Sequence, residues 1–177
     1  MIGLALLAVA ASATEVEITP VGRVAEALAA GEQAAAANSP QPLMNAAETL
    51  RALGAKPADD DAAARWREQA IAAGATPMPP VRGRLLGPAY RSGLIAPNAS
   101  ISTEQIFLAG QRAEVAIVPH GAGTVKIRIG EGDTAICERQ VSAPRGGCSW
   151  IPTFTRRIEI RLTNSSAQPL RYWLVSN

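Results

Sequence analysis

Thr124-Val125-Lys126-Ile127-Arg128-Ile129 alternates without a break. Val125, Ile127 and Ile129 fall on one side of an extended chain, and Lys126 and Arg128 on the other. That period of two belongs to a strand with one buried and one solvated face. Turn residues bound it on both sides: Pro119-His120-Gly121-Ala122-Gly123 before, Gly130-Glu131-Gly132-Asp133 after. Further out, Arg156 to Leu162 repeats the pattern with Ile158, Ile160 and Leu162 inward. Arg112 to Val118 puts Val115 and Ile117 on one face. Gln105 to Ala109, Ala135 to Val141 and Cys148 to Pro152 read as further strands. Leu170 to Val175 closes the series and is expected to pair with residues 156–163. Short strands at this spacing, with Gly and Pro punctuation, argue for an antiparallel β-sandwich. Aromatic residues are only 4% of the chain, so its core is aliphatic.

Before residue 75 the period is helical. Thr19 caps a helix with Pro20 in its first turn, followed by Val21, Val24, Ala25 and Leu28. Ser39-Pro40 starts a second, striped by Leu43, Ala46, Ala47, Leu50 and Leu53 and ended by Gly54. Asp59-Asp60-Asp61 opens a third, with Ala63, Trp66, Ala70 and Ala73 facing one way and Gly74 as its stop. The expected class is α+β. A helical segment (14–74) and a Pro-rich linker (75–83) precede the sandwich (84–177).

Two segments carry a family resemblance. One is Thr103 to Val118, an aromatic strand residue, an Ala-Gly turn and an alternating aliphatic strand. The other is Arg157 to Asn164 followed by Pro169 to Val175, closing on Tyr172, Leu174 and Val175. Together they resemble the first and last strand pairs of the bacterial pre-peptidase C-terminal domain, over about residues 84–177. The resemblance implies a non-catalytic, jelly-roll-like module of secreted proteins, often attached to peptidases. Gln105 stands where the family commonly has an aspartate. The acidic loops that bind calcium in some members have no full counterpart here.

Residues 1–13 hold no charged side chain, and Ile2 to Ala11 form an apolar run too short to span a bilayer. Ala11-Ser12-Ala13 fits signal-peptidase cleavage, so residues 1–13 read as a signal peptide and the location as periplasmic or secreted. The cysteine pair agrees: Cys137 and Cys148 flank a Gly-Gly loop and are expected to form a disulfide. The rival reading of Cys148 as a papain-like nucleophile is opposed by the sole histidine, His120, which lies upstream of it.

Few residues offer chemistry. There is no Gly-x-Ser-x-Gly elbow to accompany His120 and no Cys/His cluster, so no catalytic residue, metal ligand or cofactor is assigned. Glu131 and Asp133 are the candidates for a metal, better read as a solvated turn. Charge is divided: residues 1–80 carry a net −4 and residues 81–177 a net +6. Lys126 and Arg128 share one strand face, as do Arg157 and Arg161. If those strands are neighbours they form a basic stripe, to which Trp173, out of phase with Tyr172, adds an aromatic. No aromatics interleave with these cations, so nucleic acid is not an expected partner. The expected function is an exported, non-catalytic module of a bacterial envelope that binds a protein or an anionic envelope polymer. The alternative is a hydrolase or hydrolase accessory subunit with a site near His120.

Overall fold

The computed structural model describes residues 19–79 and 86–177. The expected signal peptide and residues 80–83 of the linker lie outside the described residues. Three helices come first: α1 (Pro20–Ala36), α2 (Pro40–Ala52) and α3 (Ala62–Ala72). Thr19 caps α1, its hydroxyl accepting from the Gly22 N–H at 3.0 Å. Gly54 (φ 65°) and Gly74 (φ 89°) end α2 and α3 in the left-handed region that glycine enters at least cost. Of the three aspartates only Asp61 caps α3, accepting from Ala64 N–H at 3.0 Å. Asp60 reaches Arg65 instead, and Asp59 accepts from the backbone N–H of Ser92 at 3.0 Å.

A short strand, β1 (Lys56–Pro57), lies between α2 and α3. Eight more follow α3: β2 (Ala89–Ile95), β3 (Ala99–Phe107), β4 (Ala113–Pro119), β5 (Thr124–Glu131), β6 (Thr134–Ser142), β7 (Gly146–Trp150), β8 (Arg156–Asn164) and β9 (Leu170–Ser176). One sheet has the order β1-β2-β9-β4-β7 and the other β3-β8-β5-β6. All pairings are antiparallel except β1 with β2. The class is α+β, three helices and a jelly-roll-like sandwich.

Two cores result. Between the sheets, Val115, Ile117 and Leu174 meet Ile127, Ile129, Ile158 and Ile160. All of these but Leu174 are the inward positions expected from the alternation. On the other face of the first sheet, Tyr90, Val118, Trp173 and Val175 pack against Val24, Leu28, Leu50 and Trp66 of the helices. Each such buried side chain contributes roughly 1.5–3 kcal/mol over leaving it exposed. The molecule therefore has three layers: helices, a sheet covered on both faces, and a sheet with one open face.

That layering corrects two expectations. β9 does not pair with β8: it lies between β2 and β4, and β8 lies between β3 and β5. A strand apolar on both faces belongs in the sheet that is covered on both. For the same reason Trp173 is not a surface residue; it is 1% exposed. The segments likened to an opening strand pair, β3 and β4, also lie in different sheets.

Cys137 and Cys148 are disulfide-bonded with their Cα atoms 6.2 Å apart. Cys137 is on β6 and Cys148 on β7, edge strands of opposite sheets, so the bridge closes that side of the sandwich.

Candidate functional site

A polar cleft lies where the helices stop covering the first sheet. β4 ends at Pro119, and the next N–H, that of His120, donates to the Arg171 carbonyl of β9 at 2.9 Å. This extra rung holds the imidazole beside the Trp173 indole, ring centres 5.9 Å apart. Glu32, near the end of α1, serves both rings. Its Oε1 accepts from the Trp173 indole N–H at 2.9 Å, and its Oε2 lies 3.4 Å from His120 Nδ1. Trp173 is further fixed edge-on by Tyr90 at 5.7 Å and Trp66 at 6.2 Å.

Beside this cluster opens a cleft of about 540 Å³. Its floor is the uncovered strip of sheet bearing Ser92, Leu94 and Arg171, and its wall is Glu32, Asp60 and Arg65. On the far side of His120 a second hollow of about 350 Å³ is lined mainly by Ala29, Ala36, Val118 and Pro144. Burial pushes the His120 pKa below the ordinary histidine value; the charge of Glu32 opposes it, and Arg171 and Arg65 add to the lowering. The ring's Nδ1 faces the Glu32 carboxylate. Nε2 is buried without a hydrogen-bond partner.

The stripe of cations read from the sequence forms. β5 and β8 are neighbours, with Arg128 opposite Arg161. Each cation has a carboxylate beside it. Lys126 and Arg128 share Glu138 at 2.7 and 3.9 Å, Arg157 meets Glu104 at 3.3 Å, and Arg161 meets Glu159 at 2.9 Å. The Lys126 hydrogen bond holds the Glu138 carboxyl below its ordinary pKa. Glu159 is held down first by the Ser102 hydroxyl, then by Arg161. In the next turn Glu131 pairs with Arg156 at 2.6 Å and Asp133 is exposed. No group of three or more His, Cys, Asp or Glu able to hold a metal occurs among the described residues.

A third feature has no counterpart in the expectations. At one end of the sandwich the loops after β3 and β7 are tied together. Ala109 N–H donates to Thr155 Oγ1 at 3.0 Å, and Gly110 N–H to the Pro152 carbonyl at 2.9 Å. These loops and the adjoining end of β3 leave Ile106, Leu108, Ile151 and Phe154 respectively 57, 51, 65 and 70% exposed. The apolar side chains on both faces of Ile106-Phe107-Leu108 were its signal in the sequence: Phe107 turns into the core and its two neighbours turn out.

No protein-family model and no curated protein matches the chain. Among solved structures it is similar to PliG of Aeromonas hydrophila, a periplasmic inhibitor of g-type lysozyme. The two are 13% identical, covering 51% of this chain and 84% of that one, with a TM-score of 0.40. It is also similar to the Yersinia pseudotuberculosis-derived mitogen, 12% identical over 51% and 85%, TM-score 0.39. The carbohydrate-binding module CBM36 gives 17% over 48% and 78%, TM-score 0.32. Likenesses this remote assign no function.

Chemically, the carboxylate–imidazole pair at Glu32 and His120 has one half of a general-base arrangement. A base must present its free nitrogen to the proton it takes. Here Nε2 is enclosed, and the nearby Ser92 hydroxyl is turned 3.5 Å from Asp59. The pair as built orients rings and joins layers.

Proposed function

We propose that this protein is a non-catalytic binding module of the bacterial cell envelope, exported by its apolar segment at 1–13, and that its partner is another protein. The observation that carries this reading is the apolar tip formed by Ile106, Leu108, Ile151 and Phe154. Grouped aliphatic and aromatic side chains in water mark interaction surfaces. The ion pairs Arg156–Glu131 and Arg157–Glu104 nearby supply the polar rim that protein interfaces have. A protein is favoured over an anionic polymer because the strand-face cations already have carboxylates beside them. The disulfide supports an oxidising compartment. The resemblance of residues 84–177 to the pre-peptidase C-terminal domain belongs with the same reading.

The test is affinity capture from a periplasmic extract with the wild-type protein and with I151S/F154S, quantified side by side. A partner held by the wild type and by H120A, but depleted on the double variant, is the expected result. Identical capture by wild type and double variant, with both folded by circular dichroism, overturns it. Loss confined to H120A would favour the hydrolase reading, which the Glu32–His120 pairing alone supports.

A further inference from the structure

We propose that the cleft beside His120 binds a small organic anion, a carboxylate or phosphate carrying an apolar part, through Arg171. This site is separate from the apolar tip and independent of the reading above. Pairing the charged groups of the cleft leaves one cation over. Both oxygens of Glu32 face donors, the Trp173 indole and the His120 ring. Both oxygens of Asp60 face Arg65, at 2.8 and 3.3 Å. Arg65 thereby uses two of its five N–H donors. Arg171 makes no ion pair or side-chain hydrogen bond with any described residue, and its side chain stands exposed on the cleft floor. The carboxylates of the cleft are therefore occupied and one guanidinium is not. A guanidinium offers a planar fork that fits a carboxylate or a phosphate with two parallel hydrogen bonds.

The apolar part follows from Leu94. It is the cross-strand partner of Arg171, lies on the same uncovered strip and is 58% exposed. A ligand seated on Arg171 would cover it. At about 540 Å³ the cleft is within the range of small-molecule sites. The walls are well fixed. Trp66 lies under Arg65, whose guanidinium carbon is 5.7 Å from the ring centre, and the Glu32–Trp173 bond holds the opposite side.

The chain supplies its own reporter, because His120 is its single histidine and lies on the cleft wall. The experiment follows its ring proton resonances by NMR at fixed pH and matched ionic strength while inorganic phosphate or benzoate is added. A saturable shift with either probe is expected in the wild type. R171Q should weaken the binding by roughly tenfold or more, the worth of one charge-assisted contact. R157Q, on the far sheet, should leave it unchanged, as should I151S/F154S. Arg171 is exposed, so R171Q is expected to fold, shown by unchanged resonances elsewhere. If it does not, R171K, which keeps the charge and loses the fork, serves in its place with the same expected direction. A shift that never saturates with either probe, or the same affinity in the Arg171 variant, overturns the proposal.

Discussion

The indole N–H of Trp173, on the last strand, donates to the carboxylate of Glu32, on the first helix, at 2.9 Å. The bond joins the helical layer to the sandwich, where Thr19 also donates to Glu114 of β4 at 2.6 Å at the start of the same helix. Glu32→Ala leaves that N–H buried without an acceptor, which costs about 1–3 kcal/mol. Glu32→Gln keeps an acceptor oxygen and should lose less than half as much. Urea denaturation followed by tryptophan fluorescence measures both. Equal losses in the two variants would mean that packing, and not this bond, joins the layers.

The bridge between Cys137 and Cys148 links positions 11 apart in sequence. Closing so short a loop restricts the unfolded chain by about 2–3 kcal/mol. Replacing both cysteines by serine avoids a stray thiol. It should lower the melting temperature by roughly 5–10 °C for a chain of this length. An unchanged melting temperature, with and without reductant on the wild type, would remove the disulfide from the stability of the fold.

What could be read from the chain depended on how many faces each strand buries. The second sheet has one open face, so β5 and β8 alternate and their inward residues were legible. The first sheet is covered twice. On β9 Tyr172 and Trp173 are both buried, and one-sided reasoning pushed one of them outward and gave the strand the wrong neighbour. β2 is not legible in the sequence because Arg91, Ser92 and Gly93 interrupt its apolar character. Gly93 is there because Tyr172 occupies the space of a Cβ. Arg128 and Arg161 are cross-strand partners, and the carboxylates beside the strand-face cations, Glu104, Glu138 and Glu159, come from positions whose pairing only the register reveals. Glu32 and His120 are distant in sequence and belong to no motif, so nothing in spacing could unite them.

The buried imidazole makes stability depend on pH in a definite direction. His120 has its pKa lowered in the folded protein, chiefly by burial. Between that value and the unfolded one of about 6.5, the unfolded chain binds the extra proton, so stability rises with pH. The contribution is complete above about pH 6.5 and is lost as pH falls through the folded pKa. Carboxylates also titrate in acid, so the test is a difference: the wild-type stability minus that of H120Q, measured by urea titration from pH 7 downward. That difference should shrink as the pH is lowered. A difference that grows would mean that Glu32 dominates and holds the ring charged.

Gly31 of α1 faces Trp66 of α3 so closely that a Cβ there would overlap the indole. Two effects oppose each other in Gly31→Ala. Alanine favours the helix by about 1 kcal/mol over glycine. Forcing a methyl into a filled core costs typically about 1–3 kcal/mol. Trp66 is fully buried and packed edge-on against Trp173, so its ring cannot withdraw, and the overlap should win. A net loss on the order of 1–2 kcal/mol is expected. The sign should reverse in a Trp66→Phe background, where the smaller ring leaves room for the methyl and only the helix preference remains. Trp66 Nε1 has no hydrogen-bond partner, so that background change loses no bond. Additive losses in the double variant would show that the two residues do not compete for the same space, and that the closeness of α1 to α3 has another cause.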